Sequence, residues 1–294
     1  MRVAVIINPV SGFTLRRDAG RRRAEQAMDV LVGCGVRPEV LVSERAGHLF
    51  ELARGAVERG ATRVIAWGGD GSVNEVSRAL AFTGTPMAIV PAGSGNGLAR
   101  ALGVPMRSTA ALHAALSAKP HPIDLGEIDG HVFANIAGVG FDAHVAHAFN
   151  SGRRGRGLQG YARLVTSELF SYSPRQYRLR VDQAETHPKA FLLTIANGPQ
   201  WGNGATIAPD ARLDDGLLDV VIAETTSALQ AATQVPRLFT GTITRAKGVS
   251  LVRGRHVTIE GDEPLCLHVD GEAVAVRSAR LDALVHPAAL MICA

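Results

Sequence analysis

The sequence predicts an α/β domain followed by a mainly antiparallel, β-rich domain, with the boundary between residues 122 and 123. Its 294 residues exceed the roughly 100 to 200 of a typical domain. Up to residue 120, short β-branched runs alternate with helical patterns, as parallel strands joined by crossover helices require. Beyond that point, strand follows strand without crossover helices, which favours an antiparallel sandwich or barrel.

In the first domain, four apolar, β-branched runs predict strands at residues 2–7, 39–42, 63–67 and 87–90. Two sets of apolar residues between these strands have helical spacing, and each predicts one helix. The first set is Ala24, Ala27, Met28 and Leu31, and the second is Leu49, Phe50, Leu52, Ala53, Ala56 and Val57. Gly33 is suited to end the first helix. This half of the chain is therefore predicted to be α/β.

In the second domain, Asp129-Gly130 marks the change to antiparallel pairing. This dipeptide suits a type I′ turn, which joins the strands of a hairpin. The predicted strands are residues 123–128, 131–137, 177–181, 191–196, 217–223, 256–260 and 265–269, with helices near 142–149 and 158–170. The last residues are expected to pack back on the first domain.

Composition excludes several classes of protein. The formal charge is +4, and only Lys119, Lys189 and Lys247 among the 31 cationic residues are lysines. Three cysteines without a CxxC pair indicate neither a disulfide framework nor a cysteine zinc site. The sequence contains no unbroken run of about 18 apolar residues, so no membrane span is predicted. We expect a cytoplasmic protein that contacts the membrane surface at most transiently.

Three turns rich in Gly, Ser and Asn follow predicted parallel strands. They are the first turn (residues 8–12), the second turn (68–74) and the third turn (93–100). Glycines allow close approach of backbone to phosphate, and the N–H groups at a helix start bind anions. Ser72 and Glu75 have the spacing of a capping box. Because carboxyl ends of parallel strands carry ligand sites, the turns predict a polyphosphate site, and a nucleotide is the natural candidate.

Two motif searches narrow this interpretation. No GxxxxGK[ST] motif is present and no lysine lies near the turns, which excludes a Walker-type mechanism. The run from Gly138 to Ala143 matches the dinucleotide fingerprint G-x-G-x-x-A. It lies in the antiparallel half without a following acidic strand end, so we do not expect a dinucleotide there.

Taken as an ordered set, these motifs resemble the diacylglycerol kinase catalytic domain family, which includes sphingosine kinases and bacterial soluble lipid kinases. The resemblance covers nearly the whole chain. It is carried by the first turn, the GGDG of the second turn, the third turn and the C-terminal runs Asn197-Gly198, Ala208-Pro209-Asp210, Asp214-Asp215-Gly216 and Asp270-Gly271-Glu272. NAD kinases share the fold and carry GGDG as well.

The resemblance implies a Rossmann-like N-terminal domain, a β-sandwich C-terminal domain and an active site in the interdomain cleft. The implied ATP contacts are Asn8, Pro9, Val10, Ser11, Gly12, Ser43, Gly68, Gly69, Asp70, Gly71, Ser72, Val73, Asn74 and Ser94. The family's proton acceptor falls on Glu272, which suits phosphoryl transfer to an alcohol. Asp270, two residues earlier, is predicted to face the same side of a strand as Glu272.

The resemblance also implies Mg²⁺, held by the Asp215 side chain and by the main-chain carbonyls of Arg212 and Leu217, although an ordinary turn explains this segment almost as well. Two residues depart from the bacterial pattern: Phe13 stands in place of a lysine and Gly97 in place of an aspartate. Three functions therefore stay open. They are a kinase for diacylglycerol or a similar lipid, an NAD kinase-like enzyme, and a non-catalytic nucleotide- or lipid-binding regulator.

Two arginine clusters suit an anionic bilayer, although a solvated helix face and a loop explain them equally well. They consist of Arg16, Arg17, Arg21, Arg22 and Arg23, and of Arg153, Arg154 and Arg156. The expected partner is a lipid substrate at the membrane surface. Nucleic acid is not expected, because no aromatic residues interleave with these arginines as stacking platforms would. Homodimerisation stays open.

Overall fold

The computed structural model describes residues 1–12, 18–150, 167–169, 171–224 and 228–294, without the side chains of residues 149, 150, 228 and 229. The chain divides into two compact units. Unit 1 contains Met1–Ile123 and Ala288–Ala294, and unit 2 contains Asp124–Pro287. The last strand begins in unit 2 and ends in unit 1.

Unit 1 is an α/β unit built on parallel strands. Its strands are β1 (Val3–Ile7), β2 (Glu39–Val42), β3 (Arg63–Gly68) and β4 (Met87–Pro91), in the order β2-β1-β3-β4. The chain end adds a fifth parallel strand, since Ile292 and Cys293 pair with Met87 and Ala88. The strands β1, β3 and β4 are buried throughout, as expected for parallel strands with helices on both faces.

The helices of unit 1 follow the predicted alternation. They are α1 (Ala19–Gly33), α2 (His48–Glu58), α3 (Asp70–Leu80), α4 (Gly97–Ala101) and α5 (Ser108–Ser117). The stripe predicted for α1 is only partly buried: Ala27 and Leu31 are in the core, whereas Met28 is exposed. Gly33 is the last residue of α1, as predicted.

The strands of unit 2 are mainly antiparallel. They are β5 (Pro120–Ile128), which begins in unit 1, β6 (His131–Phe133), β7 (Ile136–Gly140), β8 (Arg175–Val181), β9 (Ala184–Thr186), β10 (Lys189–Ala190), β11 (Leu192–Ala196), β12 (Gln200–Gly202), β13 (Ala205–Thr206), β14 (Leu218–Ala223), β15 (Val249–Gly254), β16 (His256–Gly261), β17 (Leu267–Val269), β18 (Glu272–Val274) and β19 (Arg280–Cys293). Helices α6 (Phe141–Asn150) and α7 (Ala228–Phe239) and a 3₁₀ turn (Ile243–Arg245) accompany them.

Two sheets enclose the core of unit 2. One has the order β15-β14-β11-β7-β17-β18, and the other pairs β8 and β19 with the two edges of β16. Residues from both sheets, such as Val220 and Ile259, belong to one buried cluster. Val221 points the other way, into a second cluster with Ile243 of the 3₁₀ turn, because side chains alternate along a strand. The predicted fold class, an α/β domain followed by an antiparallel sandwich, is confirmed.

Individual elements differ from the predictions in specific ways. Residues 131–137 form two strands instead of one. Ala134 and Asn135, which lie between β6 and β7, belong to neither strand. The short strands β9, β10, β12 and β13 and the longer strands β15 and β19 lie outside the predicted ranges. Asp129 and Gly130 both have positive φ (46° and 78°) and join paired residues Ile128 and His131, as the predicted hairpin requires. The predicted helix at 158–170 lies outside the described residues except for 167–169.

Candidate active site

The first and second turns of unit 1 are joined side by side. The strands β1 and β3 are adjacent and parallel, so their carboxyl ends bring residues 8–12 and 68–74 together. The Asn8 side-chain amide donates to Ser72 Oγ at 2.8 Å, and the Asn8 backbone N–H donates to the Trp67 carbonyl at 3.0 Å. Ser43, at the end of β2, donates its N–H to Ile7 at 2.9 Å. All these predicted nucleotide residues therefore lie at one edge of the sheet.

The second and third turns are held together by the Asp70 carboxylate. It accepts the backbone N–H groups of Asn96 at 2.8 Å and Gly97 at 2.6 Å. The backbones also touch, since a Cβ on Gly93 would lie 2.5 Å from the Gly69 Cα. Asn96, in the left-handed region at φ 53°, braces the third turn through hydrogen bonds with both the N–H and the carbonyl of Gly93. Asp70 thus fixes the geometry of the neighbouring turn.

The start of α3 corrects one expectation. Ser72 and Glu75 do not form a capping box, because α3 begins at Asp70 with Gly69 as N-cap and without a side-chain cap. Ser72 therefore lies inside the first helical turn, where it accepts the hydrogen bond from Asn8. The first N–H groups of a helix lack intrahelical partners and can bind an anion.

Arg23 of α1 anchors the first turn, a role that sequence reasoning did not assign. Its Nη1 donates to the Asn8 carbonyl and, at 2.7 Å, to Ser11 Oγ, and its Nη2 donates to the Ser11 carbonyl at 2.9 Å. Partial burial lowers the pKa of this guanidinium. In sequence, Arg23 is one of five clustered arginines, and its single distinguishing signal is its position on the inner face of α1.

Glu272, the predicted base, occupies the first position of β18 and is exposed. It pairs with Val269 of β17 across the two-residue turn Asp270-Gly271, whose φ angles are 46° and 84°. Positive φ at both positions is the signature of a type I′ turn. Helix α6 packs against β17 and β18, so Glu272 is carried on a short hairpin with a defined backbone.

The predicted pairing of Asp270 and Glu272 is wrong. Asp270 lies in the hairpin turn, outside the strand, so the two side chains do not share a strand face. Its carboxylate accepts N–H groups of Ala134, Asn135 and Ile136 at 2.9, 3.0 and 2.9 Å. These bonds fix the hairpin to the segment between β6 and β7.

Asn197 binds the same segment from another side. Its buried side-chain amide donates to the carbonyls of Asp124 and Ala134, both at 2.9 Å, and its backbone N–H donates to the Asn135 carbonyl at 2.8 Å. A Cβ on Gly198 would lie 2.6 Å from Asn135 Oδ1. Signature residues that are distant in sequence therefore meet at residues 134–136.

The predicted magnesium residues lie in the loop before β14. Asp215 Oδ1 accepts the Leu217 N–H at 3.1 Å, and the buried Asp124 accepts the Gly216 N–H at 2.7 Å. In the part of the chain that the structure describes, no three Asp, Glu, His or Cys side chains are grouped to hold a metal. The implied donor set differs from such a group, since it has one carboxylate and two carbonyl oxygens. These oxygen ligands fit Mg²⁺, which keeps several waters.

A buried aspartate follows this loop. Burial raises the pKa of Asp219, and Asp215 and Asp210 act in the same direction, whereas the 2.7 Å bond to Arg253 lowers it. Desolvation of the Asp219 carboxyl is the main cause of this shift.

The G-x-G-x-x-A run of unit 2 has a packing role. Gly138 and Gly140 lie in β7, between the antiparallel strands β11 and β17. A Cβ on Gly140 would lie 2.7 Å from the Phe191 carbonyl, and one on Gly138 would lie 2.7 Å from Asp142 Oδ2. Close packing thus accounts for these glycines.

The arginine clusters are only partly described. Arg16, Arg17, Arg153, Arg154 and Arg156 lie outside the described residues, as does Phe13. Arg21 and Arg22 are exposed and pair with Glu25 and Asp18 on the same side of α1. None of the helices in the described ranges combines the length and apolar character needed to cross a bilayer.

Replacing Asp270 should destabilise unit 2. We expect Asp270→Ala to lower the free energy of unfolding by at least about 2 kcal/mol, because three backbone N–H groups lose their acceptor. Asp270→Asn should have a smaller effect, since one amide oxygen can still accept. Thermal unfolding by circular dichroism measures both. Asp262→Ala, an exposed aspartate of the same unit, is the matched control, and an equal loss in the control would contradict the prediction.

Comparison with known proteins covers both units. Residues 2–128 match the diacylglycerol kinase catalytic domain, and residues 135–294 match the YegS C-terminal NAD kinase beta sandwich-like domain. The chain is 31% identical over 298 residues to a diacylglycerol kinase of Mycobacterium tuberculosis, covering 99% of this chain and 94% of that protein. It is 34% identical over 238 residues to a probable lipid kinase YegS-like of Chromohalobacter salexigens, covering 79% and 76%.

Solved structures share the fold. A putative diacylglycerol kinase from Bacillus anthracis has a TM-score of 0.80 at 19% identity, covering 99% of this chain and 94% of that one. An NAD kinase from Archaeoglobus fulgidus in complex with ATP has a TM-score of 0.54 at 12% identity, covering 100% and 94%. With both domains matched in order and relatives above 30% identity along almost its full length, the chain belongs to the diacylglycerol kinase family of lipid kinases.

Proposed function

We propose that this chain is an ATP- and Mg²⁺-dependent kinase that transfers the γ-phosphoryl group to a hydroxyl of diacylglycerol or a similar lipid. The observation that carries the proposal is the arrangement of the three turns at one edge of the unit 1 sheet. Asn8–Ser72 and Asp70–Asn96 hydrogen bonds join them. Such a backbone-lined edge, with a helix start beside it, suits a phosphate chain.

The nucleotide is assigned to the residues that the sequence indicated. Val10, Ser11, Ser72 and Ser94 lie in the turns and Ser43 follows β2, so the edge offers hydroxyl and backbone groups, of which those of Val10 and Ser94 belong to exposed residues. Asp70 belongs to this site as the residue that shapes the third turn. Its carboxylate is engaged by two N–H groups.

In the proposed reaction, Glu272 accepts the proton of the lipid hydroxyl. The hydroxyl oxygen then forms a bond to the γ-phosphorus, and the bond from that phosphorus to the β–γ bridging oxygen breaks, which releases ADP. Exposure of Glu272 keeps its carboxylate accessible, and the Asp270 anchor fixes the hairpin that carries it. Mg²⁺ bound with the nucleotide would neutralise charge on the transferred group. Asp215 and the carbonyls of Arg212 and Leu217 would hold a structural Mg²⁺ in unit 2.

The NAD kinase and regulator functions can be distinguished from the lipid kinase by their substrate and by turnover. An NAD kinase would phosphorylate NAD and ignore lipid, and a regulator would bind ATP without turnover. The relatives named diacylglycerol kinase and lipid kinase favour the lipid. Labelled ATP offered with diacylglycerol, sphingosine, ceramide, phosphatidylglycerol or NAD decides between the three. Label in NAD alone, or in no acceptor, would reject the proposal.

Glu272→Gln should lower kcat by about 100-fold or more, because the amide cannot accept the proton. ATP affinity should change little, since the turns of unit 1 are untouched. Lipid phosphorylation and calorimetric ATP binding measure the two effects. Glu263→Gln, an exposed glutamate of the same unit, is the control. Near-normal turnover of Glu272→Gln would remove Glu272 from the catalytic role.

Asp70→Asn should weaken ATP binding by about tenfold, because one amide oxygen cannot accept both N–H groups of the third turn as a carboxylate does. Calorimetric titration with ATP measures this loss. Asp29→Asn on α1, whose side chain is exposed, should bind ATP like the wild-type protein. Unchanged affinity in Asp70→Asn would separate the second turn from the nucleotide site.

We further propose that α7 contacts an anionic bilayer. Val235 and Phe239, one helical turn apart, are 46% and 61% exposed, and the same helix carries the exposed Arg237. Lys247 lies beside the helix, since its carbonyl accepts the Gln234 side-chain amide at 3.1 Å. Residues 225–252 contain three cationic and no acidic residues. Apolar side chains among cations are the combination that an anionic lipid surface binds.

The double variant Val235→Ser/Phe239→Ser should bind vesicles of phosphatidylglycerol and phosphatidylcholine several-fold more weakly, because apolar area no longer enters the interface. Vesicle co-sedimentation measures binding. Met28→Ser/Val32→Ser on α1 removes an exposed apolar pair with the same spacing beside acidic residues, and it should bind as the wild type does. Equal binding by both double variants would reject the α7 surface.

A further inference from the structure

Arg23 differs from its neighbours on α1 in having no acidic partner. Arg21 and Arg22 pair with Glu25 and Asp18, whereas no acidic side chain among the described residues pairs with Arg23. The segments outside the description, 13–17, 151–166, 170 and 225–227, contain neither Asp nor Glu, so they cannot supply one. The positive charge of Arg23 is therefore uncompensated within the chain.

An uncompensated charge at this place is unfavourable unless a ligand neutralises it. Partial burial lowers the pKa of Arg23, yet arginine stays protonated in proteins. Buried charges are normally paired. The contacts of Arg23 are two carbonyls and one hydroxyl, which solvate the guanidinium without cancelling its charge.

The same contacts shape the first turn. By holding the carbonyls of Asn8 and Ser11, Arg23 fixes the direction of the peptide groups between them. The Asn8 side chain completes the turn, since its Oδ1 accepts the Val10 N–H at 3.1 Å while its amide donates to Ser72. Arg23 uses three of its five N–H groups in these bonds. Its other donors make no hydrogen bond to the described residues and stay available to a ligand.

We propose that Arg23 is a phosphate-binding residue of the nucleotide site. Its guanidinium fixes the first turn through two carbonyls, and the phosphate chain neutralises its positive charge. The inference rests on the proposed function, because it presupposes that unit 1 binds ATP. It explains how a site without a nearby lysine obtains a fixed cation. A guanidinium can bind carbonyls and phosphate at once because its donors form a rigid fork.

The test compares ligands that differ in charge. Calorimetric titrations with ATP, ADP, AMP and adenosine, each with Mg²⁺, are run on the wild-type chain, Arg23→Gln and Arg23→Lys. Arg23→Gln should raise the Kd for ATP by about tenfold to a hundredfold, with a smaller rise for ADP and AMP and none for adenosine. The KM for ATP should rise more than kcat falls. Arg22→Gln, one residue away and exposed, should leave all four affinities unchanged.

The lysine variant separates charge from structure. Arg23→Lys keeps the charge and loses the fork, so it should bind ATP more weakly than wild type but retain a preference for ATP over adenosine. Circular dichroism confirms that each variant is folded. If Arg23→Gln weakens adenosine and ATP equally, or Arg23→Lys loses the preference as fully as Arg23→Gln does, the inference is overturned. If the wild-type chain does not bind ATP, the proposed function itself fails.

Discussion

The Asp70 carboxylate is the constraint on which the candidate nucleotide site depends. Its two oxygens accept the N–H groups of Asn96 and Gly97 and so join turns that follow two neighbouring strands. That bond forms only if the turns approach backbone to backbone, and the glycines permit this, since side chains at Gly69 or Gly93 would overlap the other turn. The GGDG sequence therefore allows the second and third turns to pack together beside the start of α3. The proposed phosphate site depends on that packing.

Unit 2 uses a carboxylate in the same way. Asp270 accepts three consecutive N–H groups at residues 134–136, and Asn197 holds carbonyls of the same region. In both units an aspartate beside glycine satisfies backbone donors of a distant segment. Because a carboxylate accepts several hydrogen bonds at once, it can fix an irregular segment that no strand pairing holds. The exposed Glu272 makes no comparable contact among the described residues, and it is the base of the proposed reaction.

The local sequence was sufficient to predict features that depend on neighbouring residues alone. The alternation of buried runs and helical stripes predicted every strand of unit 1 up to β4, and Asp129-Gly130 predicted its hairpin because both residues tolerate positive φ. Features set by distant contacts were missed or wrong. The predicted Ser72 cap was wrong because α3 begins at Asp70, which places Ser72 inside the first helical turn, where Asn8, 64 residues away, donates to its hydroxyl. Asp270 turned away from Glu272 because residues 134–136 bind it. For Arg23 the sequence offered one signal, its position on the inner face of α1, and its role became evident only from its partners in the first turn.

Charge explains why these distant contacts matter for function. A phosphate chain brings several negative charges to an edge built mainly from backbone N–H groups, whose partial charges are small. The Asp70 carboxylate, which shapes the third turn, would repel such a ligand if it pointed at it. In the structure Asp70 is instead engaged by N–H groups, while Arg23 faces the first turn without an acidic partner. Arg23 thus places a cation beside the first turn, although the chain has only three lysines and none of them near the turns.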